Sequence, residues 1–249
     1  MFDNIILIHG LSGNAGDMDY VAGRIAGRGC MVSNINLPGH GTARDGFGPE
    51  SLLSVKMSDW IEAVEKEVGS SKDSVVIVGQ SMGALLAIYS AVRHPDRIKG
   101  VVLLSPATKL YGRLNRLSVS LIYIWSTVMG LPALYYTKGN GPDIADAGVK
   151  KGYTAYNKIP LNALAEYERL RRLVVGMLGG LKSPLLIVYS RNDHTISQDA
   201  VKIIDSKVMS TVKRIRSVND SFHVISIDRD RESVAEEIDR FLRYIETEV

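Results

Sequence analysis

Short apolar runs alternate with helical patterns along most of this chain, and that alternation restricts its fold more than any other feature. The runs are residues 5–8, 32–36, 75–78, 101–104 and 185–189, each bounded by Gly, Pro, Ser or Asn and several rich in Val and Ile. Continuous apolarity over so few residues predicts strands buried on both faces. Between and after them lie helical patterns at residues 17–28, 58–68, 82–93, 198–207 and 231–246. Pro95, just beyond His94, stops the third of these. In the last, Val234, Ile238, Phe241, Leu242 and Ile245 recur on one face, which should lie against the sheet. The expectation is an α/β fold with a mostly parallel, doubly wound sheet and helices on both faces.

The 249 residues suffice for one large domain, with 45% hydrophobic and 23% charged residues. Net charge is +3, and Lys and Arg are scattered, so no nucleic-acid footprint is present and no nucleic-acid partner is expected. One cysteine, Cys30, cannot form an internal disulfide, which fits a reducing compartment; it reads as a small buried residue at a strand entrance. The N-terminal residues Met1, Phe2, Asp3 and Asn4 have no basic region, and the following apolar run is too short for a signal peptide, so a cytoplasmic location is expected.

From residue 106 to 183 the alternation breaks down, over a stretch too long for a plain loop. It is expected to be a cap inserted into a core made of residues 1–105 and 184–249, with one clear helical run at 161–173. Residues 117–136 carry no charge and could by length span a bilayer. A single span there would put Ser81 and His223 on opposite sides of the membrane. If both serve one site, stable membrane insertion is excluded, and the run is either a packed helix or an apolar helix at a binding mouth.

The chemistry begins at Gly79-Gln80-Ser81-Met82-Gly83, which follows one predicted strand and opens the next predicted helix. Strand, sharp turn and helix is the context of a nucleophile elbow, in which a strained turn lifts the serine hydroxyl to the carboxyl edge of the sheet. Glycine at 79 and 83 lets neighbouring backbone approach closely. A serine hydroxyl needs a base to remove its proton. Five histidines are available, and the order serine, acid, histidine that accompanies an elbow selects His223, in a loop after a further predicted strand at 212–215. The acid between them is expected to be Asp193, directly after the run 185–189, where it would hold the imidazole tautomer and stabilise the imidazolium. Asp220 is the rival, although it shares a short loop with His223. Asp228 comes after the histidine and is expected to cap the last helix or its preceding turn. The oxyanion donors are expected to be the backbone N–H of Met82 and that of Leu11, in the loop His9-Gly10-Leu11-Ser12-Gly13-Asn14.

With His9-Gly10, Pro38-Gly39-His40-Gly41, residues 79–83, Asp193-His194 and Ser221-Phe222-His223-Val224 in place, the chain resembles bacterial carboxylesterases and monoacylglycerol lipases of the α/β-hydrolase superfamily. The resemblance covers residues 2–105 and 184–249. It implies an α/β-hydrolase fold and hydrolysis of short or medium acyl esters, monoacylglycerols included, through an acyl-enzyme and without a cofactor. Because the chain starts almost on the strand carrying His9, the first two strands of an eight-stranded sheet are expected to be absent. The same triad would also serve thioester or carbon–carbon bond hydrolysis, and a binding protein that kept the fold but lost catalysis is the reading from another class. Dehalogenase and epoxide-hydrolase chemistry is disfavoured, since those relatives use an aspartate where Ser81 stands. No metal-ligand spacing is present. Leu121, Ile124, Trp125 and Met129 are candidates to line an acyl tunnel under the cap, or else to pack the cap onto the core.

Overall fold

Six parallel strands form the sheet of the computed structural model, which describes residues 2–72, 74–128, 134–139 and 141–248. In chain order the elements are β1 (Asn4–Ile8), α1 (Asp19–Ile25), β2 (Met31–Ile35), α2 (Met57–Ser70), β3 (Val75–Gln80), α3 (Met82–Arg93) and β4 (Ile98–Leu104). They continue as α4 (Arg113–Val128), β5 (Tyr135–Thr137), α5 (Ala147–Gly152), β6 (Lys158–Pro160), α6 (Leu161–Met177), β7 (Leu185–Ser190), α7 (Asp199–Lys207), β8 (Lys213–Val218) and α8 (Arg231–Glu248). The sheet order is β2-β1-β3-β4-β7-β8, the doubly wound α/β arrangement expected, while β5 and β6 pair separately as an antiparallel ribbon.

The strands are apolar throughout because alternate residues feed two different cores. Ile6, Ile8, Val75, Ile77, Val101, Leu103, Leu185 and Ile187 pack with α2, α3, α6 and α7 on one face. Their neighbours Ile5, Leu7, Val76, Val78, Val102, Leu104, Leu186 and Val188 pack with α1 and α8 on the other. The predicted stripe of the last helix supplies Val234, Ile238, Phe241, Leu242 and Ile245 to that second core.

Boundaries differ from expectation where local chemistry intervenes. The pattern at 17–28 resolves into a short 3₁₀ turn, Ala15–Met18, and α1, which stops at Ile25 because Gly27 and Gly29 adopt φ of 91° and 81°. The strand expected at 212–215 runs instead over Lys213–Val218, as an edge strand whose Arg214 and Arg216 break the apolar run. Cys30 is half-buried rather than buried.

Between β4 and β7, α6 lays Ala163, Leu164, Tyr167, Leu170 and Val174 into the same core as α3. The Arg171 guanidinium pairs with buried Glu168 at 2.7 Å and donates to the Thr108 carbonyl at 3.0 Å, tying α6 to the chain just after β4. The uncharged run contains most of α4, which buries Val119 but leaves Leu121, Ile124 and Trp125 exposed by 60%, 51% and 58%. No helix among the described residues is long and apolar enough to cross a membrane.

This division predicts unequal costs of truncation. Phe241→Ala should destabilise the fold by about 3–5 kcal/mol, as befits a fully buried aromatic, whereas Trp125→Ala should change stability by less than about 0.5 kcal/mol. Urea unfolding of the two variants checks the ranking.

Candidate functional site

The elbow forms as the motif requires. Ser81 sits between β3 and α3 with φ 56° and ψ −111°, and its N–H donates to the Leu104 carbonyl at 2.9 Å. Such a conformation is costly for any residue with a side chain, so the packing around it must enforce it. The two glycines make that packing possible. A Cβ on Gly79 would stand 2.2 Å from the Gly83 carbonyl oxygen, and one on Gly83 would stand 2.2 Å from the Ile8 carbonyl oxygen. The start of α3 therefore touches the end of β1 through bare backbone.

His223 reaches this serine from the loop between β8 and α8. Its Nε2 lies 2.9 Å from Ser81 Oγ, and its Nδ1 lies 2.8 Å from Asp193 Oδ2. Asp193 stands just past β7 and divides its oxygens: Oδ1 accepts the N–H groups of Thr195 and Ile196 at 2.8 and 2.7 Å, which leaves Oδ2 to the histidine. An ionised carboxylate can only accept, so Nδ1 carries the proton and Nε2 is left as the acceptor facing Ser81. Burial works against the imidazolium, but the charge and hydrogen bond of Asp193, with a further contribution from Asp143, outweigh it and hold the His223 pKa above its usual 6.5.

The other acids have different work. Asp220 is exposed, and its backbone N–H donates to Asp230 Oδ2 at 2.9 Å. Asp228 holds the turn before α8, as one of its two expected roles had it, and reaches further as well. Its buried carboxylate accepts the N–H groups of Ala145, Asp146, Phe222 and Arg229 within 2.9 Å, bracing the histidine loop against the segment before α5. That segment also supplies the Asp143 carbonyl, which accepts from His223 N at 3.0 Å, and the Asp143 carboxylate, which holds His194 and Thr195.

The loop after β1 lies against the elbow, since a Cβ on Gly10 would stand 3.0 Å from Ser81 Cβ. Leu11 is the next residue, and Met82 opens α3, so its N–H is one of those a helix start leaves without an internal partner. Two buried histidines shape this loop. His9 Nε2 accepts from Leu37 N at 3.0 Å and His40 Nε2 accepts from Ser12 N at 3.1 Å, while the Nδ1 atoms donate to the carbonyls of Gly10 and Pro38 at 2.8 and 3.0 Å. Burial pushes their pKa values down to about 4 and about 3, so both are neutral braces. The sequence displayed them as His9-Gly10 and Pro38-Gly39-His40-Gly41 without revealing this role. His94 pairs with Glu65 away from the triad residues.

Of the residues expected to meet an acyl chain, Leu121, Ile124 and Trp125 lie on α4 with their side chains largely exposed. Met129 lies outside the described residues. Among the described residues, no group of three or more His, Cys, Asp or Glu side chains is arranged to hold a metal.

Comparison with known proteins bears on the fold and the family. A thermostable monoacylglycerol lipase of Bacillus sp. (strain H-257) is 30% identical over 236 residues, covering 93% of this chain and 87% of that protein. A carboxylesterase of Bacillus subtilis (strain 168) is 24% identical, covering 97% of this chain and 93% of its own. Among solved structures, one of metagenome-derived lipolytic enzymes superposes with a TM-score of 0.84 at 26% identity, over 96% of this chain and 93% of that one. The monoacylglycerol lipase of Paleococcus ferrophilus gives a TM-score of 0.82 over 98% and 97% of the two chains, at 18% identity, and shares the fold. The family profile described as serine aminopeptidase, S33, matches residues 2–230, and with the elbow, the sheet order and the long-range likeness in agreement, this chain belongs to that family of α/β-hydrolases.

Proposed function

We propose that this protein is a serine hydrolase of carboxylic esters, acting on short or medium acyl esters or monoacylglycerols, with Ser81 as nucleophile, His223 as general base and Asp193 as the orienting acid. The observation that carries the reading is the continuous relay from Asp193 Oδ2 through the His223 ring to Ser81 Oγ, at 2.8 and 2.9 Å. His223 Nε2 takes the hydroxyl proton as Oγ bonds to the ester carbonyl carbon, and the carbonyl oxygen gains the negative charge. Donation from the N–H groups of Leu11 and Met82 would stabilise that oxyanion. The imidazolium then gives its proton to the departing alcohol oxygen, leaving an acyl-serine. A water, deprotonated in turn by His223, attacks the acyl carbon; the bond to Oγ then breaks, Oγ takes the proton back from His223, and the acid leaves.

The family is described by the name of a peptidase, while the two Bacillus relatives described above, each matched over most of its length, are named for ester or lipid hydrolysis. One triad serves either bond, so the substrate decides. We favour esters, with residues 106–183 as a cap over the site and a reducing, cytoplasmic setting for the lone thiol of Cys30. A panel of nitrophenyl esters, monoacylglycerols and aminoacyl nitroanilides separates the possibilities. Hydrolysis of the esters and not the anilides is expected, and the reverse preference would replace this reading with a peptidase.

Three residue-level outcomes follow. Ser81→Ala should fold normally and lose ester hydrolysis on the order of a million-fold. Since the base must be neutral, kcat/KM should climb with pH through a midpoint above 6.5, the direction in which Asp193 and Asp143 move His223. Asp193→Asn should cut kcat by roughly ten-thousand-fold and lower that midpoint, whereas Asp220→Asn, an exposed change, should alter neither. Initial rates from pH 5 to 9 test all three.

A further inference from the structure

The loop after β1 is held from above as well as from the core. Four hydrogen bonds join it to the segment between β4 and β7: Lys138 Nζ to Ser12 Oγ at 2.7 Å, Tyr156 N to the Ser12 carbonyl at 2.9 Å, Asn14 Nδ2 to Thr154 Oγ1 at 3.2 Å, and Tyr153 OH to Asp17 Oδ2 at 2.9 Å. Two of the four converge on Ser12, the residue directly after Leu11. Resting on the reading of Leu11 as an oxyanion donor, we propose that Lys138 is a positioning residue for catalysis: its ammonium, set on the Ser12 hydroxyl, fixes the Leu11 peptide in the orientation that receives the developing charge.

Ser12 adopts φ 66°, a conformation that a residue with a side chain holds only where its surroundings impose it. Its three polar groups are each pinned by a different part of the chain: the N–H by His40 Nε2, the carbonyl by Tyr156 N, and the hydroxyl by Lys138. The histidine and the tyrosine amide anchor the backbone on either side of the residue. Lys138 alone acts through the side chain, and it does so with a charged donor, the stronger kind of hydrogen bond. Lys138 is itself fixed just past β5, where its N–H donates to the Asn157 carbonyl at 3.0 Å and its carbonyl accepts from Gly141 N at 3.1 Å.

The charges around it suit this task. Burial lowers the lysine pKa to about 8, against the carboxylates of Asp17 and Asp143, which favour the ammonium. Asp17 is itself buried and pushed up to about 7, with the Tyr153 hydroxyl donating to it. His223, across the site, feels the same ammonium as a charge that disfavours its own protonation. At neutral pH the group is therefore still a cation, held among Asp17, Asp143, Tyr153 and His223.

An oxyanion donor acts on the transition state and not on the bound ester, so loss of its alignment lowers kcat and spares KM. With a soluble nitrophenyl acetate at pH 7, Lys138→Met should reduce kcat by about tenfold to a hundredfold, with KM within about twofold of the parent. Active sites are counted by fluorophosphonate labelling of Ser81, which removes misfolded protein from the rate. Ser12→Ala deletes only the acceptor and should give a similar loss. The double variant should be no slower than Lys138→Met alone, because the two changes break one link. Above pH 8 the parent should fall toward the Lys138→Met rate as the ammonium is lost. A Lys138→Met enzyme with parental kcat per labelled site, additive losses in the double variant, or a loss confined to KM would each overturn the proposal. In any of those cases a parent that hydrolyses esters and a dead Ser81→Ala would leave the ester-hydrolase reading standing. A parent inactive on all esters would instead remove the reading on which this inference rests.

Discussion

The site depends first on how closely α3 can approach the end of β1. At that contact the Gly83 Cα faces the Ile8 carbonyl with no room for a methyl group, and one turn earlier Gly79 faces the Gly83 carbonyl in the same way. The two contacts bend the chain at Ser81 into a conformation that an isolated peptide would abandon. What keeps it is the sheet, whose central strands are buried on both faces and cannot yield without opening two cores. Strain at one residue is thus held by packing spread over the whole domain, and it leaves Oγ facing His223 Nε2.

Around that fixed point the aspartates are sorted by what their oxygens are already holding. Asp228 gives both oxygens to backbone N–H groups, and Asp230 accepts from Asp220 and Ser221, so these two shape the histidine loop and have little left for a side chain. Asp193 spends one oxygen on its own turn and keeps the other for His223. Hydrogen-bond accounting therefore separates the carboxylate that faces the histidine from those that hold only backbone, where proximity in the sequence would not.

The central strands, α3 and the elbow were legible because each depends on residues close in sequence: an unbroken apolar run, a helix stopped by a proline, glycines at two fixed positions. The edge of the sheet was less so, since β8 carries Arg214 and Arg216 and buries only Val218 fully. The three side chains that meet at the elbow, Ser81, His223 and Asp193, could be picked out through chain order, yet the parts that hold them could not. His9 and His40 are neutral because they are buried, and burial belongs to the folded state. Asp228 reads as a helix cap until residues 145 and 146 arrive beside it from more than eighty positions away. The outward face of α4 is equally invisible in sequence, where an apolar stripe reads the same whether it is covered or bare.

Ser81 and His223 are 142 residues apart along the chain, and their contact requires β7 and β8 in their places in the sheet. Closing a loop of that length costs more chain entropy than closing a short one. Trp60, buried in α2 with its indole N–H on the Pro38 carbonyl, belongs to the earlier part of the chain. The indole of Trp60 therefore reports how α2 seats on the turn at Pro38, whereas turnover needs in addition the contact across 142 residues.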